Sequence, residues 1–471
     1  MLRDRYDPLD LFSLVPRLGL AMDPILTELD SLLDDDVVYQ KLRADLARRY
    51  PQTLSRGRLS TPVEVILRLI VVKRLYRWSY EETEHFVSDS LVLRQFSRVY
   101  LEPVPDDTTL IRWAGLIGPQ TIEEVNARVV ELARSLKVTR GRKLRVDSTV
   151  VETNIHHPTD SRILGDGVRV ISRLLHRAKE VIGKSGEVAG ELFRSRTRSV
   201  RRLAQQVHRV ARRKGEEAAE ELKGAYAKLI GIAKASKRQA ERVRDLLREQ
   251  TESRAEVQAK RLVEGFEHFL PLVDQAIRQA TRRVIEGEVV PNKEKLLSLF
   301  EPHSQVIVRH KAGKPVEFGR KVLLDEVDGG IVSRYQILAE GGGQDHPYLR
   351  SSLDGHQRLF GKPPDLLAGD RGFYTPANER LAEEAGVKRI VIPKVGRISK
   401  ERQELERQSW FRRGYRFRAG SEGRISVLKR CQGLDVCLDH GDDGFGRWVG
   451  WGIVTANLVR IARTEVARLT K

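Results

Sequence analysis

Four residues near the C-terminus of this 471-residue chain have types and spacing suited to shared chemistry. They are Tyr415, Arg418, Glu422 and Lys429, in GYRFRAGSEGRISVLKR. Offsets of +3, +4 and +7 place all four on one face of an α-helix. The carboxylate can hold a divalent metal, and the phenol, guanidinium and ammonium are donors that grip a DNA phosphate. Two distant carboxylates are candidates to join them. Asp147 lies inside KLRVDSTVVETNI, a Val- and Thr-rich run that reads as a strand, where an unpaired buried carboxylate is costly. Asp370 closes the apolar run in PDLLAGDRGFYTP and precedes Arg371. Three carboxylates around a site for two Mg²⁺ ions (Mn²⁺ can substitute) suit phosphodiester chemistry, because one ion activates the attacking oxygen and the other stabilises the leaving one. Plainer roles stand beside these: Asp370 as a turn residue or cap, and Glu422 as a charge favouring a helix N-terminus. Glu152, Asp160, Asp325, Asp345 and Asp365 are competing acids, and Asp345, in GGGQDHP, reads as a structural turn residue.

The single helical face meets an obstacle. Gly420 and Gly423 each cost a helix about 1 kcal/mol, and Ser421 is a good N-cap. The helix is therefore expected to begin at Ser421 and to carry Glu422 and Lys429, with Tyr415 and Arg418 reaching in from the preceding turn.

The elements that must position these groups are legible in outline. Residues 1–138 read as a helical domain. In it, Thr61-Pro62-Val63-Glu64 and Ser79 with Glu82 form capping boxes, Asp107 or Thr108 caps a later helix, and Ile122, Val125, Val129, Leu132 and Leu136 share a face. Such a domain suits either DNA-end binding through a helix-turn-helix or plain packing and dimerisation. No function attaches to the acidic run Asp34 to Asp36. Strands are expected in residues 139–158 and 301–471, giving a mixed α/β sheet of the ribonuclease-H type. Residues 159–300 form a long, charged helical insertion after its first strand. Nine Arg or Lys and no acid occur between Arg194 and Lys214. There Arg198, Arg202, Arg209, Arg212 and Arg213 lie opposite Val200, Leu203, Val207 and Val210, a stripe that can track DNA phosphates or serve as a solvated outer face.

Composition narrows the partners. Lys and Arg number 84 against 65 Asp and Glu, a formal charge of +19, which favours a polyanion and nucleic acid first. Two cysteines, Cys431 and Cys437, exclude a disulfide framework and a zinc cluster. With no apolar run long enough to cross a bilayer, the expectation is a cytoplasmic protein with no membrane partner.

At this point the sequence resembles the DDE transposases of bacterial insertion sequences. The interval from Tyr415 to Lys429 fits that family's Tyr-(2)-Arg-(3)-Glu-(6)-Lys signature at every spacing. VDSTVVETNIHHP looks like its first-Asp block and AGDRGFYTPAN like its second, while YRWSYEETEHFVSDSLVLRQF and VPDDTTLIRW resemble its N-terminal helices. The resemblance implies Asp147, Asp370 and Glu422 as a metal-binding triad, with Tyr415, Arg418 and Lys429 on transposon-end phosphates. It also implies double-stranded inverted-repeat ends and target DNA as partners, and a homo-oligomer, at least a dimer. One departure separates this chain from the best-known members with that signature, whose insertion lies between the second Asp and the Glu. Here that interval is only 52 residues, whereas 223 separate Asp147 from Asp370. The expected activity is Mg²⁺-dependent cleavage at inverted repeats and strand transfer. The alternatives are a nuclease that does not join and a domesticated DNA-binding protein without catalysis.

Overall fold

A computed structural model describes residues 1–6, 21–50, 52–57, 59–182, 190–249, 254–311, 313–339, 343–394 and 396–470. It forms two compact bodies. The first is drawn from residues 1–152, 320–339 and 343–471, the second from residues 153–319.

The first body begins with helices α1 (Pro24–Leu33), α2 (Asp36–Ala47), α3 (Val63–Tyr76), α4 (Tyr80–Asp89), α5 (Leu91–Phe96), α6 (Asp107–Leu116) and α7 (Pro119–Ser135). Strand β1 (Lys143–Thr153) ends in the second body. That body holds helices α8 (Asp160–Ile182), α9 (Thr197–Val210), α10 (Glu216–Glu249) and α11 (Arg254–Ala280), then β2 (Gln305–Lys311) and the first half of β3 (Lys314–Val327). The chain continues in the first body with β4 (Ile331–Ile337), α12 (Leu349–Phe360), β5 (Leu366–Gly369), α13 (Pro376–Glu384), β6 (Arg389–Val391), α14 (Lys400–Arg407), α15 (Ser409–Gln432), β7 (Val436–Cys437) and α16 (Gly441–Leu469).

The sheet is mixed. β1 runs parallel to β5, with Lys143 beside Leu366 and Val146 beside Gly369, and β5 runs parallel to β6. On its other side β1 borders β3. The Asp328 N–H donates to the Lys143 carbonyl, and Arg145 pairs with Glu326, so β1 and β3 run in opposite directions. β4 adds antiparallel to β3, and β7 pairs with β1. In the second body β2 is antiparallel to β3.

Local chemistry explains several helix boundaries. Ser79 and Glu82 make the reciprocal capping box at α4, each accepting from the other's backbone N–H at 3.0 and 2.7 Å. The box expected at Thr61 does not form: Pro62 is the N-cap of α3 and has no side-chain acceptor. Glu64 instead lies 3.5 Å from Arg68. The cap of α6 is Asp106, one residue before the expected pair. The acidic run has a structural role. Asp34 reaches the fully buried Arg68 at 2.6 Å, while Asp35 caps α2 and pairs with Arg128 at 2.8 Å. Asp30 and Glu64 join Asp34 around Arg68, and a buried guanidinium left without these three acids would be an uncompensated charge.

The early helices do not build a core of their own. One apolar cluster joins Leu29, Leu42, Ile66 and Val129 to Leu144 and Val146 of β1 and to Val454 and Leu458 of α16. A separate cluster in the second body packs Val168, Ile171, Leu229, Val243, Phe266 and Val273 between its long helices. Among the described residues, no helix is long and apolar enough to cross a membrane.

Candidate active site

Helix α15 carries the site, and its packing decides which side chains turn inward. Phe411, Gly414, Ser421 and Leu428 are buried, in a stripe that repeats at three and four residues and also includes Arg418 and Ile425. Phe411 packs with Leu366, Ala368 and Val391, fixing the helix against β5 and β6. Tyr415, Glu422 and Lys429 lie on the flank of that stripe.

The helix runs unbroken from Ser409 to Gln432, through Gly420 and Gly423. A start at Ser421 is therefore incorrect, and the signature residues do share one helix. Burial of the stripe outweighs the two propensity penalties of about 1 kcal/mol each. Gly420 is also needed sterically, because an added Cβ would overlap the Arg145 guanidinium. Ser421, rather than capping, donates its hydroxyl to Asp147 at 2.6 Å.

The structure brings the sequence-selected acids around one cation. Arg418 Nη2 lies 3.5 Å from Asp147 and 4.0 Å from Asp370, and Nη1 lies 3.6 Å from Glu422. Asp147, on β1, and Arg418 are largely sheltered, at 13% and 15% side-chain exposure, whereas Glu422 stands 75% exposed. β1 and β5 are parallel neighbours, so Asp147 and Asp370 meet despite their distance in sequence. Asp370 follows directly after β5, where its carboxylate accepts the Gly372 N–H at 2.8 Å. The cap role and the site position thus belong to the same residue.

Supporting groups went unrecognised in the sequence. The Ser148 N–H donates to Asp147 at 2.8 Å, and the Ser148 hydroxyl donates to Asp345 at 2.9 Å. Asp345, which reads as a turn residue, sits 2.6 Å from Lys321 and is mostly buried. Burial, then Asp147 and Asp345, push the Asp370 carboxyl above its ordinary range, against the opposing pull of Arg418. Behind the site, Arg145 holds Glu326 through two hydrogen bonds and donates to the Phe417 carbonyl.

The oxygen donors suit a hard cation, and the crowding felt by Asp370 is of the kind that a cation relieves. Among the described residues, however, no three His, Cys, Asp or Glu side chains stand close enough to form a ready metal cage. Asp147 and Asp370 are the pair that fits, since Mg²⁺ is commonly held by one or two carboxylates with water and phosphate oxygens completing its shell.

The remaining candidates lie further out. Tyr415 is 45% exposed, Lys429 lies two turns beyond Glu422, and Arg371 is exposed in the short turn after Asp370. In the second body, Arg198, Arg202 and Arg209 are exposed on α9, opposite the buried Val200, Val207 and Val210. That helix stops at Val210, so Arg212 and Arg213 are not on it. Arg212 meets His208 at 2.9 Å and Arg213 pairs with Glu221 at 2.5 Å.

Comparison with known proteins finds a family match confined to the N-terminal part of the chain. Residues 19–115 match the family described as "Transposase domain (DUF772)". A protein of Rhizobium meliloti, described as "Uncharacterized protein ORF8 in nfe locus", is 35% identical over 109 residues, which cover 22% of this chain and 48% of that protein. The chain thus spans about half the length of that curated relative. No solved structure matches.

Proposed function

We propose that this chain, whose residues 19–115 match a transposase domain, is a DDE transposase that cuts inverted-repeat ends and joins them to target DNA. The observation that carries the reading is the convergence of Asp147 and Asp370 on one guanidinium of α15, with Glu422 one turn further along the same helix. A ribonuclease-H-like catalytic domain is part of the proposal. It is supported by the order β4-β3-β1-β5-β6, antiparallel up to β1 and parallel beyond it.

In this reading Asp147 and Asp370 hold Mg²⁺, with Glu422 as the third carboxylate. The metal supplies Lewis-acid charge at the phosphate when bound. The residues of the chain do the rest. Ser421 and the Ser148 N–H fix the Asp147 carboxylate. Arg418 neutralises the acids until a phosphate offers it a better bidentate partner. Tyr415, Lys429 and Arg371 donate to backbone phosphates, the contacts that set register on DNA. Water attacks phosphorus as the P–O3′ bond breaks and leaves a 3′-hydroxyl. That hydroxyl then attacks a target phosphorus, so the P–O bonds formed balance those broken. The helices before residue 138 serve end binding or dimerisation, and a dimer at least pairs the two ends.

The test uses purified protein on DNA carrying the flanks of its reading frame, with Mg²⁺ or Mn²⁺. Wild type should cleave and then join. Asp147→Asn and Asp370→Asn should each lose at least about a hundredfold in rate, near 2.7 kcal/mol of barrier, while still binding DNA. Wild-type rates in either variant would refute the site. Cleavage without joining would favour the nuclease, and binding without cleavage the non-catalytic protein.

A further inference from the structure

The second body contains a cleft of about 1160 Å³ between α8 and α9, with Tyr226 of α10 also lining it. Its walls carry Arg162 and Arg169 from α8, Arg201 and Arg209 from α9, and His157 and His208. Among the described residues, no carboxylate lines it. Arg169 is paired with Asp166, whereas Arg162, Arg201 and Arg209 make no ion pair among the described residues. Thr159 and Thr197 add hydroxyls and Gln205 an amide. Spacing makes this a two-walled device. Arg162 and Arg169 are seven residues apart on one face of α8, and Thr197, Arg201, Gln205 and His208 follow at three or four on one face of α9.

From this we infer that the cleft is a second nucleic-acid site, taking the phosphodiester backbone of DNA outside the catalytic carboxylates. Like charges held across a groove repel, and solvated arginines facing each other lower that cost when a polyanion enters. Guanidinium, hydroxyl and amide groups are the usual donors to phosphate oxygens, and such contacts carry no sequence information. The site differs from a single outer stripe on α9, because half of its arginines come from α8. The inference rests on the proposal that the chain acts on DNA.

The test measures binding of the full chain to a 30-base-pair duplex of arbitrary sequence across a KCl series. Two double variants are compared with wild type: Arg162→Gln with Arg169→Gln, and Arg201→Gln with Arg209→Gln. Each should reduce the salt slope by about 1 to 2, since every phosphate that is no longer neutralised takes away roughly 0.9. Each should also weaken binding about tenfold or more near 0.1 M salt. Lysine at the same positions should restore most of the slope. If only the α9 pair matters, the grip is one-sided and the cleft assignment is wrong. Unchanged slopes in both variants, with wild type binding and cutting DNA, overturn the cleft and leave the proposed function standing. Tighter binding of an RNA duplex of equal length, lost in both variants, overturns the choice of DNA. A wild-type chain that binds no DNA at all overturns both.

Discussion

Alanine at Gly420 pits local propensity against tertiary packing. On an isolated helix, Gly420→Ala and Gly423→Ala should each stabilise by about 1 kcal/mol. The structure separates them. At Gly423 an added Cβ meets nothing within 4 Å, so the full gain is expected. At Gly420 it overlaps Arg145 Nη1, the atom that donates to the Phe417 carbonyl at 2.6 Å. The end of an arginine usually gives way cheaply. This one is pinned by two further hydrogen bonds to Glu326, at 2.9 and 2.6 Å, and both partners are nearly buried. Losing one charged hydrogen bond there costs about 1.5–3 kcal/mol. Offset by the propensity gain, Gly420→Ala should destabilise by about 0.5–2 kcal/mol, while Gly423→Ala stabilises. Urea unfolding of the two variants beside wild type, followed by circular dichroism, reads the sign directly. Equal stabilisation by both substitutions would refute the idea that the Arg145–Glu326 pair dictates glycine at position 420.

Two further predictions concern pH. The Asp370 carboxyl is raised above its ordinary value of 3.8 by burial and by Asp147 and Asp345. The folded chain therefore binds that proton more tightly than the unfolded one, and stability falls as pH rises through the window above 3.8. Asp370→Asn, assayed in a chelator, should raise the melting temperature at about pH 7.5, and the gap should close below pH 3.8; no gain at neutral pH would mean that the carboxylates do not crowd one another. His356, buried and stacked on Phe360 at 4.6 Å, is depressed from 6.5 to about 4, chiefly by burial. Its contribution is complete above pH 6.5 and is lost as pH falls towards 4, roughly 3 kcal/mol in all. His356→Gln should flatten the melting temperature across that window, and an unchanged slope would place the titration elsewhere.

Much of the candidate site could be read before the fold, and for a physical reason. Tyr415, Arg418, Glu422 and Lys429 lie within fifteen residues, where helical periodicity alone fixes their relative directions. The Val- and Thr-rich run around Asp147 and the apolar run before Asp370 announced strands in the same local way. The Ser79 box was equally local, and it formed. What misled was also local: propensity at Gly420 and Gly423 argued for a break that packing overrides.

Composition and periodicity thus determined the element types, the acids worth testing, the basic second body and the excess positive charge. Only the tertiary structure decided the rest. Parallel pairing of β1 with β5 brings Asp147 to Asp370 across 223 residues, a register that no local pattern encodes. Burial of the Phe411-to-Leu428 stripe keeps α15 continuous and turns Arg418 inward among the acids. Asp345 and Ser421 changed meaning for the same reason. Once the chain closes, the turn residue accepts from Ser148 beside Asp147, and the apparent cap donates to Asp147 itself. Short-range preferences are worth about 1 kcal/mol each, and a buried helix face with its ion pairs outweighs them.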